Sequence, residues 1–135
     1  MSNIGYALRM AKKYYTDTGY NHAIRVMQYI AENDMIPDDK KDDCISLAIM
    51  HDLWEDTKYP KGCGLDEEFA KCLELLTKKK DADYIDYVKE IKKYSDTHPM
   101  AYWVKIADMK DHLTQSETLT DKLKEKYLKA LPHLL

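Results

Sequence analysis

The sequence predicts an all-α fold, one bundle of about six or seven helices forming a single domain over residues 1–135. Three observations predict it. Apolar residues recur at spacings of three and four along most of the chain. No strictly alternating run bounded by turn signals is long enough for a strand. Only 4 Gly and 4 Pro interrupt 135 residues of which 44% are hydrophobic, and no repeat or linker divides them.

Each element follows from local signals. Over residues 4–15, Ile4, Ala7, Leu8, Ala11 and Tyr15 form one apolar stripe, with Ser2 or Asn3 available as N-cap. Thr16-Asp17-Thr18-Gly19 breaks the pattern. A second helix over about 21–32 carries Ile24, Met27, Tyr29 and Ile30 and ends before Pro37. Asp38 or Asp39 can cap a third, over roughly 40–57, whose apolar centre predicts burial. Residues 58–64 read as a loop. Acidic residues suit the positive dipole end of a short helix over 65–77, and 81–94 repeats the pattern with Ile85, Val88 and Ile91 inward. Pro99 fits a first helical position for a helix reaching about Leu113. Thr118 or Thr120 can cap the last helix, over 121–131.

Composition narrows the function classes. Lys and Arg total 21 against 24 Asp and Glu, for a net charge of −3, which disfavours a phosphate backbone as partner, so no nucleic acid is expected. The longest apolar run, Cys44 to Met50, falls far short of the ~20 residues that span a bilayer. Together with the lack of a basic-then-apolar leader pattern, this gives a cytoplasmic expectation with no membrane partner. Three cysteines without CxxC spacing indicate neither a disulfide framework nor a thiolate zinc site. Cys44 is expected to pack in its apolar run.

Chemistry concentrates at His51-Asp52, which end the most apolar stretch and are followed by Glu55 and Asp56. On a continuous helix, 51 and 55 share a face, as do 52 and 56, and 52 and 55 are neighbours. Three carboxylates and an imidazole in less than two turns repel one another unless cations or solvent compensate, and a divalent metal is the economical compensator. His22 opens the second helix, and Asp108 sits mid-helix among apolar residues. Taken singly, each has an ordinary reading as a surface histidine, a helix charge or a chance dipeptide. The ordered set, His then His-Asp then Asp, is what distinguishes them.

That set resembles the signature of the HD-domain metal-dependent phosphohydrolases. Tyr20-Asn21-His22, the run from Ala48 through His51-Asp52-Leu53-Trp54-Glu55-Asp56-Thr57, and Val104-Lys105-Ile106-Ala107-Asp108 are similar to the hydrolase domain of RelA/SpoT-type enzymes and the small alarmone hydrolases. The Glu-Asp-Thr after His-Asp marks that branch, and the similarity spans roughly residues 4–113. The resemblance implies that His22, His51, Asp52 and Asp108 hold one divalent ion, usually Mn²⁺ in this branch. It also implies that Glu55 and Asp56 are catalytic carboxylates, orienting and deprotonating water or protonating the leaving oxygen. The implied partner is a small-molecule nucleotide, and the implied reaction removes the 3′-pyrophosphate of guanosine tetra- or pentaphosphate.

The sequence departs from the family's pattern around the substrate. The segment before His22 is short and lacks Lys or Arg, Ala23 stands where the family usually has Pro, and His112 stands where it commonly has Asn. Candidates for gripping phosphate are therefore Lys12 and Lys13 just upstream, Arg25 one turn from His22, Lys105 one turn before Asp108, and His112 at i+4 from Asp108. Lys105 can equally snorkel from the helix surface, and Tyr20 and Trp54 suit core packing as well as base stacking. Two alternatives stand beside the alarmone reading. One is an HD phosphohydrolase acting on another nucleotide: a nucleoside monophosphate, a dinucleotide cofactor phosphate or a signalling nucleotide. The other is a non-catalytic, metal-stabilised binding module.

Overall fold

The computed structural model describes residues 3–61 and 64–135, and every regular element among them is helical. Ser2, Gly62 and Cys63 lie outside the described residues, so the Ser2 cap and the two-residue heart of the 58–64 loop do too. The elements are α1 (Ile4–Tyr14), α2 (Asp17–Glu32), α3 (Asp38–Met50), α4 (Leu53–Asp56), α5 (Glu67–Leu76), α6 (Tyr84–Lys93), α7 (Pro99–Thr114) and α8 (Asp121–Leu134). Seven are of two turns or more, and α4 is a single turn. No helix among the described residues is long and apolar enough to cross a membrane.

Short polar side chains set most of the helix starts. Asn3, Thr16, Asp66, Asp83 and Thr120 each accept a hydrogen bond from the backbone N–H three residues on, satisfying a donor that has no partner inside the helix. This chemistry moves several predicted boundaries. Thr16 Oγ1 accepts from the Gly19 N–H at 3.1 Å, so the stretch that reads as a break is the first turn of α2. Asp66 and Asp83 likewise delay α5 by two residues and α6 by three. α3 begins at Asp38 behind Pro37, which places both Asp38 and Asp39 inside its first turn rather than at the cap. At the far end, α8 continues through Pro132.

α3 is the central helix, as its composition predicts. Cys44, Ser46, Leu47, Ala48, Ile49 and Met50 are all buried, and α3 packs against α1, α2, α5 and α7. Covering a leucine such as Leu47, which is 0% exposed, contributes about 2 kcal/mol. α6 and α8 pack on each other and on α7. The C-terminal half of α3, the middle of α7 and the first turns of α2 therefore meet at one end of the core.

The largest departure from the sequence reading is a break in the predicted 40–57 helix at His51 and Asp52. A side chain from α1's end causes it. The Tyr15 hydroxyl donates to the Ile49 carbonyl at 2.8 Å and accepts from the Asp52 N–H at 3.2 Å, while His51 Nδ1–H donates to the Ala48 carbonyl at 2.6 Å. Side-chain groups thus enter the backbone ladder where a continuous helix would pair these carbonyls with the N–H groups of Asp52 and Leu53, and such insertion is a recognised cause of kinks. Asp52 adopts φ −102°, ψ 1°, in the sparsely allowed bridge region where many active-site residues sit.

Candidate metal centre

The break aims His51 and Asp52 at one point, and α2 and α7 bring His22 and Asp108 to it. One ligand atom from each of these four residues lies within 4.8 Å of all the others. His22 Nε2 is 2.8 Å from Asp108 Oδ1 and 3.8 Å from Asp52 Oδ2. His51 Nε2 is 3.1 Å from Asp108 Oδ1 and 3.3 Å from Asp52 Oδ2. His22, His51 and Asp108 are 7%, 2% and 3% exposed, so water does little to separate these groups.

Tautomers sharpen the picture. The Ala48 carbonyl can only accept, so His51 carries its hydrogen on Nδ1. Asp111 Oδ2 lies 2.7 Å from His22 Nδ1 and fixes the same tautomer there. Carboxylates and carbonyls behind metal-bound histidines play this orienting role. Both Nε2 lone pairs then face the oxygens of Asp52 and Asp108. Four acceptors turned toward one another are stable only with a cation or protons between them.

The electrostatics agree. Burial pulls the His51 imidazole down, but the Asp52 charge and hydrogen bonds to Asp108 and Asp52 lift it well above its ordinary value. Burial likewise lowers His22, and the Asp108 hydrogen bond more than compensates. Burial raises Asp108, yet the Lys105 ammonium and the three imidazoles of His112, His22 and His51 hold it well below the carboxylate range. Asp52 is raised by burial and carried below its usual value by His51. The same field that retains protons favours a divalent ion, and two imidazoles with two carboxylates form a donor set suited to Mn²⁺, Zn²⁺ or Fe²⁺.

Beside the four ligands opens a pocket of about 180 Å³, lined in part by Glu55, Asp56, Lys78, Lys105, Tyr84 and Lys126. Glu55 Oε1 accepts the Lys78 backbone N–H at 2.8 Å. Burial and the Asp52 charge raise Glu55, with the Lys78 N–H opposing. Asp56 keeps solvent access, but protein packed around it and the charges of Asp52 and Glu55 raise it to about 6. Lys105 is buried, its Nζ 2.8 Å from Asp108 Oδ2 and 5.2 and 4.9 Å from the ring centres of Tyr84 and Tyr87. Burial and the positive charges of Lys105 and Lys78 lower Lys126, as expected where cations crowd one another.

The remaining sequence candidates fall in two groups. His112 joins the site, its Nε2 3.2 Å from Asp108 Oδ1 and its ring stacked between His22 and Tyr127 at 4.4 and 4.8 Å. Arg25 points to Asp111, donating to its two oxygens at 2.7 and 3.0 Å. Lys12 and Lys13 lie over the rings of Tyr20 and Tyr14, and neither lines the pocket.

Sequence reasoning did not single out Asp111, Tyr15, Lys78 or Lys126. The spacing of Asp111, three residues beyond Asp108, is the one signal that pointed to it. Lys78 opens a Lys-Lys-Lys run that reads as a solvated turn, and Lys126 sits in a helix whose charges follow an ordinary exposed face. No protein-family model and no curated protein matches this chain.

Proposed function

We propose that this chain is a metal-dependent phosphohydrolase of HD type, removing the 3′-pyrophosphate of guanosine tetra- or pentaphosphate. The observation that carries the reading is that His22, His51, Asp52 and Asp108 converge and that two of them, Asp52 and Asp108, also line a pocket with Lys78, Lys105 and Lys126. Glu55 and Asp56 line the same pocket. When bound, a divalent ion supplies Lewis-acid polarisation and charge neutralisation.

The chain's own groups supply the rest. Asp56, raised to about 6, exchanges a proton readily near neutrality, which suits it to take a proton from attacking water and return one to the leaving oxygen. Glu55, anchored through Lys78, is placed to orient that water. Lys126 in the pocket lining would contact phosphate oxygens, while Lys78, whose Nζ donates to the Lys79 and Ala82 carbonyls, and Lys105, paired with Asp108, add positive charge around them. The buried Tyr84 hydroxyl, beside Lys105 in the pocket lining, offers one more donor.

A second reading has its own support. About 180 Å³ suits a phosphoryl or pyrophosphoryl group, whereas whole-ligand pockets run to about 300 Å³ and more. The nucleoside would lie outside, and this favours a wider range of phosphorylated nucleotides as substrates.

The deciding experiment measures product release by the purified chain from a nucleotide panel including guanosine tetraphosphate, with Mn²⁺ and then with EDTA. Mn²⁺-dependent pyrophosphate release from the alarmone is the expected result. Turnover of another nucleotide alone transfers the proposal to the second reading. Bound Mn²⁺ with no turnover across the panel overturns both in favour of a binding module.

A further inference from the structure

A different cluster lies at the junction of α5 with the start of α7. Glu68 and Cys72 stand one turn apart on α5, and His98 is the residue immediately before α7. One ligand atom from each lies within 4.8 Å of the other two. Glu68 Oε2 is 2.8 Å from His98 Nδ1 and 3.6 Å from Cys72 Sγ. In a tetrahedral zinc site the distances between ligand atoms are roughly 3.2–3.8 Å, given Zn–S of about 2.3 Å and Zn–N or Zn–O of about 2.0–2.2 Å. The Glu68–Cys72 separation already falls in that range, and the Glu68 and His98 side chains, 43% and 22% exposed, have room to move apart toward it.

From this geometry we infer that Glu68, Cys72 and His98 form a second metal site, selective for Zn²⁺ and distinct from the His22–Asp108 centre. The chemistry of the donors sets the selectivity. A thiolate favours Zn²⁺, while the oxygen- and imidazole-only set of the first centre suits harder ions as well. Three protein ligands leave a fourth position, and Glu68 and His98 line an open groove that also includes Trp54 and Lys71, so solvent can fill it.

Cys72 is 0% exposed; burial and Glu68 push its thiol up to about 12, with the Ala101 backbone N–H in the first turn of α7 opposing, so a cation must displace a firmly held proton. Such an N–H supports a thiolate once a cation replaces the proton, which leaves to solvent. Bound Zn²⁺ would clip α5 to the entrance of α7, the helix that carries Lys105, Asp108 and Asp111.

Co²⁺ provides the test, because only a thiolate ligand gives a sulfur-to-metal charge-transfer band and the first centre has no sulfur. Titrating the full chain with Co²⁺ is expected to produce that band, and added Zn²⁺ to abolish it. Cys72→Ser and, independently, His98→Gln are expected to lose the band while Co²⁺ still binds the first centre. The half-exposed Glu68 and the loop position of His98 make His98→Gln the safer fold. Saturation with Co²⁺ without a charge-transfer band, or a band that persists in either folded variant, overturns the assignment.

Discussion

Asp111→Asn isolates the group that orients His22 without touching a proposed ligand. The carboxylate is 0% exposed and accepts three hydrogen bonds, from His22 Nδ1 at 2.7 Å and from Arg25 at 2.7 and 3.0 Å. An amide of the same shape keeps one oxygen and presents an NH₂ where the other stood, so at least one existing donor faces a donor. Arg25 is 34% exposed and can turn to water. His22, at 9% for its side chain, cannot. Hydrogen bonds to charged partners contribute about 1.5–3 kcal/mol each, so one such loss is expected in unfolding free energy. The second effect falls on the metal. Losing the group behind a ligating histidine typically weakens binding about 10–100-fold, equivalent to about 1.4–2.7 kcal/mol. Calorimetric titration with Mn²⁺ reads the affinity, and urea unfolding of the metal-free protein reads the stability. Arg25→Gln serves as the comparison, expected to lose stability while leaving Mn²⁺ affinity near that of the parent. Because the amide can turn its oxygen to His22 while Arg25 turns to water, Asp111→Leu, which removes this acceptor altogether, completes the series, and a folded Asp111→Leu protein that binds Mn²⁺ as tightly as the parent would refute the argument that Asp111 sets the His22 tautomer.

Other substitutions separate binding from turnover. Asp52→Asn is expected to abolish both Mn²⁺ binding and hydrolysis. Glu55→Gln is expected to keep the metal and lower kcat by about 10²–10⁴-fold, and a parental rate in that variant removes Glu55 from the catalytic pair. Lys126→Ala is expected to raise the nucleotide KM about tenfold, the effect of one charged contact, with Mn²⁺ affinity unchanged; an unaltered KM would place the phosphate elsewhere. The pH dependence of the metal-free protein has a definite sign. His22 and His51 are raised, so their stabilisation is complete below about pH 6.5 and is lost as pH rises through the raised values. Asp52 and Asp108 are lowered, so theirs holds above about pH 4 and is lost as pH falls through the lowered values. Urea midpoints in EDTA should therefore decline on the alkaline side, and Mn²⁺ should restore them. A midpoint that climbs from pH 6 to pH 8 in EDTA contradicts that electrostatic account.

Periodicity made the helices legible where each buries one stripe; the apolar centre of α3 predicted its burial, and Pro99 placed the start of α7. Boundaries were less legible. Thr16 shows why, since a Thr-Asp-Thr-Gly stretch looks like a turn until its hydroxyl is seen capping Gly19. The break at His51-Asp52 could not be read locally at all, because its cause is a hydroxyl from Tyr15 in another helix. The four proposed ligands stood out as types in order, and the structure brings all four together. What surrounds them did not stand out. Lys78 and Lys126 look like any exposed lysine in sequence, and only the packing of α6 and α8 against α7 turns them toward a carboxylate-rich pocket. The same holds for Cys72 and His98, whose separation conceals that Glu68 lies between their ligand atoms.

The distribution of the four ligands over α2, the α3–α4 turn and α7 also bears on the time course of folding. None of the pairwise contacts at the centre, apart from His51 with Asp52, joins neighbours in the chain. Each waits on loop closure across long stretches of polypeptide, which is entropically slow to reward. An ion bound there engages a geometry that exists only when three separately formed helical segments have docked. Its free energy should therefore be nearly absent from the rate-limiting ensemble and fully present in the native state. Energy of that kind lengthens native lifetime and leaves refolding speed almost untouched. In a chevron plot Mn²⁺ should displace the unfolding limb and leave the refolding limb in place, making the ion a lock applied after assembly, not a template for it.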